Sequence, residues 1–589
     1  MKRQRLWGLT AAVLSGLAMP LTYGQAASPY LATEYSYYNG KPFAEIKFMA
    51  QNYGIGRDGS WLINPSAYDL PPTLINATMS STAYWTNILG GGAKNPTPWQ
   101  IFVTTKNIQN AFAYTGTIKS DGVNGSYGNA AFLLGEHLQD GKPVNKLTYE
   151  AVAGDVLPSG QYVFSNITIG NYMGAERTGA INGWWVDTDT VLPTNEQATD
   201  FVGTFRHELG HALGISLAKT SNEGMFYINS DVDNKNSWTL HLVDQNGNAA
   251  APGKQIVTSA DVPNNTDVAN YFVVDKQITA DGKGYAYFVG EHVTEALDGA
   301  TFFGRSALPV NGWEDKFEGS HLQTTGMMSH RSYSNYTSFM EVELAVMQDL
   351  GYKFDRKAYF GRSIYGNGGN IVNNQGFFRR NAAGTAYLDN TYSTVPLGIG
   401  LHIYGSDNTV TQNANIMTTG TGATGIRIDG TGNTVIVPQN TEIHADGLRG
   451  NGILVAYGRN QTLEQAGTVT ASGAGGTGVR FDFGSSSNGA GDEYRGSYIR
   501  YKREVNTNGT ISEAKNLKLT DMDANTYNAN KDELNGALVE KYNLSGTLKG
   551  GENAIYISKN AFVKNININK GASISGNITS NWGQFGADE

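Results

Sequence analysis

Apolar positions along residues 28–358 switch between period two and helical spacing. Phe43 to Met49 alternates as a strand does, and Trp99 to Thr104 and Gln161 to Ile169 read as two more strands. From Thr73 to Leu89, the positions Leu74, Ala77, Ser81, Tyr84 and Ile88 fall on one side of a helix, which Gly90, Gly91 and Gly92 end. Residues 195–213 carry a second helical pattern that stops at Gly214. Residues 339–350 carry a third. There Met340, Leu344 and Met347 share a face, Ser338 and Glu341 form a capping box, and Gly351 stands where a C-terminal cap belongs. Strand, helix, strands, helix is an α+β order.

The pattern changes over residues 359–589, which are dominated by Gly, Asn, Thr and short β-branched runs. Gly400-Leu-His-Ile, Gly425-Ile-Arg-Ile, Gly452-Ile-Leu-Val and Gly478-Val-Arg-Phe open similar segments. Several are followed by a second short apolar run, such as Asn433-Thr-Val-Ile-Val. A repeat of this length with short strands and Gly/Asn turns predicts a solenoid. No regular leucine pattern is present, so a parallel β-helix fits better than a leucine-rich repeat. Residues 485–550 are more polar and read as a bulge or insertion, with the pattern resuming around Ala554-Ile-Tyr-Ile.

Residues 1–27 have the layout of a secretory signal: Lys2, Arg3 and Arg5, then an apolar stretch from Leu6 to Leu21, then small residues at Gly24, Ala26 and Ala27. This implies export, to the medium or to a bacterial cell surface. No later run is long and apolar enough to be a spanning helix. The net charge is −9, and more negative once the basic leader is removed, which argues against nucleic acid as a partner. The chain has no cysteine, so disulfides, thiolate metal sites and cysteine nucleophiles are excluded.

The chemistry concentrates in His207-Glu208-Leu209-Gly210-His211, on the second predicted helix. Residues four apart share a helix face, so both imidazoles can reach one metal ion. Glu208 lies beside them, placed to take a proton from a metal-bound water. Zinc suits three protein ligands and one open position, so a third ligand is needed. Many metzincins supply it as a His six residues after the second, but here that position is Leu217. The remaining histidines are His137, His241, His292, His321, His330, His402 and His444.

His-Glu-Leu-Gly-His-Ala-Leu-Gly is followed by a long insertion, then Gly319-Ser-His321, Met327-Met-Ser-His330 and Glu343-Leu-Ala-Val-Met-Gln-Asp-Leu-Gly-Tyr352. This order resembles the leishmanolysin-like branch of the metzincins, over roughly residues 40–355. The resemblance implies that His321 is the third ligand, with His330 its competitor. It implies one Zn2+ per chain, with Met328 as the turn methionine beneath it and Met327 as the fallback. Tyr333 or Tyr336 would be the oxyanion stabiliser. The chain departs from the pattern at Leu322, where a Trp usually follows the third His, and in the long gap between His211 and His321.

Gly467 to Gly484, Glu493-Tyr-Arg-Gly-Ser-Tyr and the stretch from Ile574 to Trp582 resemble passenger domains of autotransporters. That family carries a C-terminal membrane β-barrel, which this sequence does not contain, so it reads as a fragment. The expectation is a multidomain chain: signal peptide 1–27, α+β metzincin-like zinc peptidase 28–358 with a β-rich insertion at about 218–318, and a right-handed parallel β-helix 359–589. Its function would be secreted or cell-surface endopeptidase activity on protein or peptide substrates, with Glu208 as base. Outer-membrane association would come only through the missing barrel. The alternatives are a non-enzymatic surface adhesin with a relict metal site and a metal-stabilised surface-layer component.

Overall fold

A computed structural model describes residues 28–54, 65–92, 98–107, 113–117, 138–139, 142–143, 165–171, 184–186, 199–229, 238–277, 279, 282–311, 317–324, 326–329, 339–482, 492–495, 499–502, 515–518, 537–558 and 561–582. Residues 1–27, which the sequence reads as a leader, lie outside them, as do His137, His330, Tyr333 and Tyr336.

The period-two segments build one mixed sheet. Its strands are β1 (Tyr30–Tyr38), β2 (Lys41–Met49), β3 (Trp99–Asn107), β4 (Ala113–Thr117) and β5 (Ser165–Asn171), in the order β1-β2-β3-β5-β4. The β1–β2 hairpin is antiparallel, β2, β3 and β5 run parallel, and β4 closes the edge antiparallel to β5. Ile46, Phe48, Trp99, Ile101 and Ile167 are fully or nearly fully buried.

Helix α1 (Pro72–Leu89) connects β2 to β3. It starts one residue earlier than the apolar spacing predicts, because Pro72 suits the first turn, where no N–H is needed. The predicted stop holds: a Cβ at Gly90 would fall 2.3 Å from the Tyr38 ring. Helix α2 (Phe201–Ala212) lies against α1, where Trp85 Nε1 donates to the Arg206 carbonyl (3.0 Å) and Ser81 Oγ to that of Val202 (3.2 Å). It is shorter than the predicted 195–213. Residues 199–200 form a short strand beside Trp184–Trp185, and 195–198 lie outside the described residues.

Between residues 218 and 311 stand two small sheets. One contains Lys219–Asn222, Met225–Ile228, Gln255–Val257 and Tyr271–Val273; the other contains Leu242–Val243, Ala286–Phe288 and Leu308–Val310. A helix, α3 (Glu291–Leu297), accompanies them. Trp238–His241 is a 3-10 turn that leads into Leu242–Val243.

Helix α4 (Glu341–Asp349) corrects the predicted capping box. The N-cap is Met340, and Glu343 reaches back to accept its N–H at 2.7 Å. Glu341 instead pairs with Arg356 and Lys357, at 3.0 and 2.6 Å. The C-terminus is as expected: Gly351 has φ 99°, its N–H donates to Gln348 O, and that of Tyr352 donates to Met347 O.

From Phe360 the chain winds into a β-helix-like coil of parallel strands. One turn is Ile399–Ile403, Thr409–Gln412 and Ile416–Thr418; the next is Thr424–Ile428, Thr434–Val437 and Glu442–Ala445. Each strand pairs in parallel with its counterpart one turn on. Leu401, Ile426, Ile453, Val479 and Ile555 stack as one interior column. The repeated glycines lie where turns stack closely: a Cβ on Gly425 would meet Ile443 at 2.4 Å and Gly452 O at 2.5 Å. The coil resumes earlier than predicted, at Val539–Leu544, which pairs with Gln461–Gln465. Outward-facing Glu540, Lys541 and Asn543 hide its alternation in the sequence.

The coil is not a separate core at its start. Tyr359, Phe360, Tyr365 and Ile399 belong to the same apolar cluster as Leu74, Leu209, Met328 and Leu344. Tyr359 Oη donates to the Asn87 carbonyl at 2.7 Å.

Candidate metal centre

Helix α2 presents His207 and His211 one turn apart, and a glycine turn ends it directly after them. Gly214 has φ 116°, its N–H donates to His211 O, and that of Ile215 donates to Gly210 O. The chain then enters the core at Leu217, which is buried and whose aliphatic side chain has no atom to offer a metal. Its N–H donates to Ser320 Oγ at 3.0 Å, which ties it to the loop that carries His321.

That loop is fixed on both sides. Asn311 N–H donates to His321 O at 2.9 Å, and Leu322 N–H to Met328 O at 2.9 Å. Trp238 Nε1 donates to Gly319 O at 2.9 Å. Gly319 has φ 66°, and a Cβ there would touch Leu217 and Phe317 at 2.7 Å. The small sheets between residues 218 and 311 therefore carry the third histidine back to the helix that bears the first two.

The three imidazoles converge. His211 Nε2 is 3.0 Å from His207 Nε2 and 3.1 Å from His321 Nε2. Each Nδ1 faces an oxygen: Met327 O for His207 (2.5 Å), Ile215 O for His211 (2.6 Å) and Glu318 Oε1 for His321 (3.1 Å). A carbonyl only accepts, so Nδ1 of His207 and His211 carries the proton. A carboxylate imposes the same tautomer on His321. All three Nε2 atoms then present lone pairs to one another, an arrangement that repels itself unless a cation lies between them. Tetrahedral zinc with Zn–N of about 2.0–2.1 Å requires N···N of about 3.3 Å, close to these separations. The donor set therefore fits a metal ion, and among the described residues this is the one such group of His, Cys, Asp or Glu.

Glu208 lies on the same helix and is buried, at 7% exposed. Met327 and Met328 are fully buried. Met328 lies under the helix: a Cβ on Gly210 would meet its Sδ at 2.6 Å. Among the other histidines, His241 bonds Val289 O, His292 pairs with Glu295, His402 with Asp429, and His444 with Asp446 and Glu442. Sequence reasoning missed Glu318 and Glu343. The acid three residues before His321 was a visible signal for the first. The second shows only once α4 is placed against the methionine turn. Comparison with protein-family models, curated proteins and solved structures finds no match to this chain.

Proposed function

We propose that the chain is an exported zinc endopeptidase of the leishmanolysin-like metzincin type, carried on a right-handed β-helix of autotransporter-passenger character. The observation that supports this reading best is the convergence of three Nε2 lone pairs beside a buried Glu208. Zinc there would supply Lewis acidity, lowering the pKa of water toward neutrality and polarising a carbonyl. His207, His211 and His321 hold the ion, each oriented through Nδ1. Glu208 accepts a proton from the attacking water and returns it to the leaving amine, so the peptide bond breaks with protons balanced. Substrates are extracellular proteins or peptides, and the leader brings the enzyme to the outside or the surface of a bacterial cell.

The test is metal content and casein hydrolysis of the chain without its leader. Wild type should carry one zinc and hydrolyse casein. His321→Ala should lose both, and Glu208→Ala should keep the metal and lose hydrolysis. A Glu208→Ala protein with full activity would remove the proposed base. Wild-type protein that takes up no zinc and cuts nothing would favour the adhesin.

A further inference from the structure

Glu343 is fully buried, and its carboxylate does more than cap a helix. A cap requires the Met340 N–H, which Oε2 accepts at 2.7 Å. The same carboxylate also accepts Met327 N–H (3.1 Å) and Met328 N–H (2.8 Å), from a loop that packs against the helix. The loop closes tightly around it, since a Cβ on Gly326 would lie 2.3 Å from Oε2.

This clamped turn touches every segment that bears a ligand. Met327 O faces His207 Nδ1. Met328 O accepts the N–H of Leu322, the residue after His321. Met328 Sδ lies against Gly210, the residue before His211. A shift of the turn would move the Nδ1 acceptor of one histidine and the footing of the other two.

The far side of the clamp rests on the coil. Val342 N–H, next to Glu343, donates to Tyr365 Oη at 3.1 Å. The Tyr365 ring stacks on Tyr404 with centroids 4.9 Å apart and planes at 6°. Tyr404 in turn stacks on His402 at 3.7 Å.

We infer that Glu343 is a positioning residue for the metal centre, and that the first turns of the coil hold it in place through Tyr365. The inference rests on the reading of the three histidines as a metal site. The coil is then part of the enzyme's scaffold as well as its carrier.

The experiment uses the chain without its leader, loaded with Co2+ for its visible spectrum and with Zn2+ for competition against a chelator. If wild type binds neither ion, the metal-site reading itself fails. If wild type binds, Glu343→Gln should shift the cobalt bands and weaken zinc binding roughly tenfold, as loss of outer-shell partners does. The amide offers one acceptor oxygen where the carboxylate offers two. Tyr365→Phe, which removes only the hydroxyl, should shift the same bands in the same direction by less. Wild-type bands and affinity in a folded Glu343→Gln protein would reduce Glu343 to a helix cap and overturn the inference. Should Glu343→Gln fail to fold, Glu343→Asp, which keeps the charge and shortens the reach, is read the same way: shifted bands and weaker zinc binding uphold the clamp, and wild-type bands and affinity overturn it. A shift in Glu343→Gln with none in Tyr365→Phe would keep the clamp and remove the coil from it.

Discussion

Glu318 illustrates how much of a three-histidine cluster is set one atom beyond the imidazoles. Its Oε1 stands 3.1 Å from His321 Nδ1, where it fixes the tautomer and leaves the Nε2 lone pair facing those of His207 and His211. The side chain is partly exposed, so its effect on overall stability is small. Its effect on the ligand is local. Glu318→Ala should fold normally and bind zinc roughly ten-fold more weakly, as read by chelator competition. Equal affinity in the variant would mean that the bonds of Asn311 and Leu322 orient His321 without help. The converging histidines themselves were legible at unequal depth. His207, Glu208 and His211 share a helix turn, so spacing alone pairs them. His321 was reached through the resemblance of its Gly-Ser-His context, because proximity across so long an insertion leaves no periodic trace.

At the scale of elements, helix ends were read better than helix starts. Gly214 and Gly351 both close their helices at positive φ with the two backbone bonds expected there. A left-handed residue leaves few choices but glycine, so sequence marks it. The start of α4 was misread by two residues, because Ser338 and Glu341 match a capping pattern locally. Glu341 is drawn instead to Arg356 and Lys357, a tertiary pairing that no local pattern encodes. The asymmetry yields a prediction. Gly351→Ala forces a Cβ into the left-handed region and should cost about 1–2 kcal/mol. The melting temperature should fall accordingly. An unchanged melting curve would show that the chain re-routes the α4 terminus without strain.

Across the whole molecule, the repeated Gly-apolar segments disclosed the coil, but nothing in them disclosed that its first turns share a core with the helices. That sharing links two buried titratable groups with opposite responses to pH: His402 stacks on Tyr404 and Tyr404 on Tyr365, whose hydroxyl accepts the N–H of Val342, the residue before Glu343. His402 is buried with no hydrogen-bond partner for Nδ1 among the described residues, and burial pushes its pKa down to about 4. Its folded value lies below the ordinary one of 6.5, so its share of stability is present above pH 6.5 and is lost as pH falls toward 4. Glu343 has the other sign. Burial lifts it from 4.5 to about 7, against the pull of its three N–H donors. Its share is full below pH 4.5 and is lost as pH rises through 7. Each shift corresponds to roughly 3 kcal/mol. Between pH 4.5 and 6.5 the two should nearly cancel, so each variant should expose the other group's slope. In chelator-treated protein, His402→Gln keeps a donor to Asp429 but no longer titrates. Relative to wild type it should gain stability toward acid, by urea midpoint. Glu343→Gln should gain relative stability toward neutral pH instead. Parallel pH curves for wild type and both variants would show that neither group changes its protonation between the folded and unfolded states in this range.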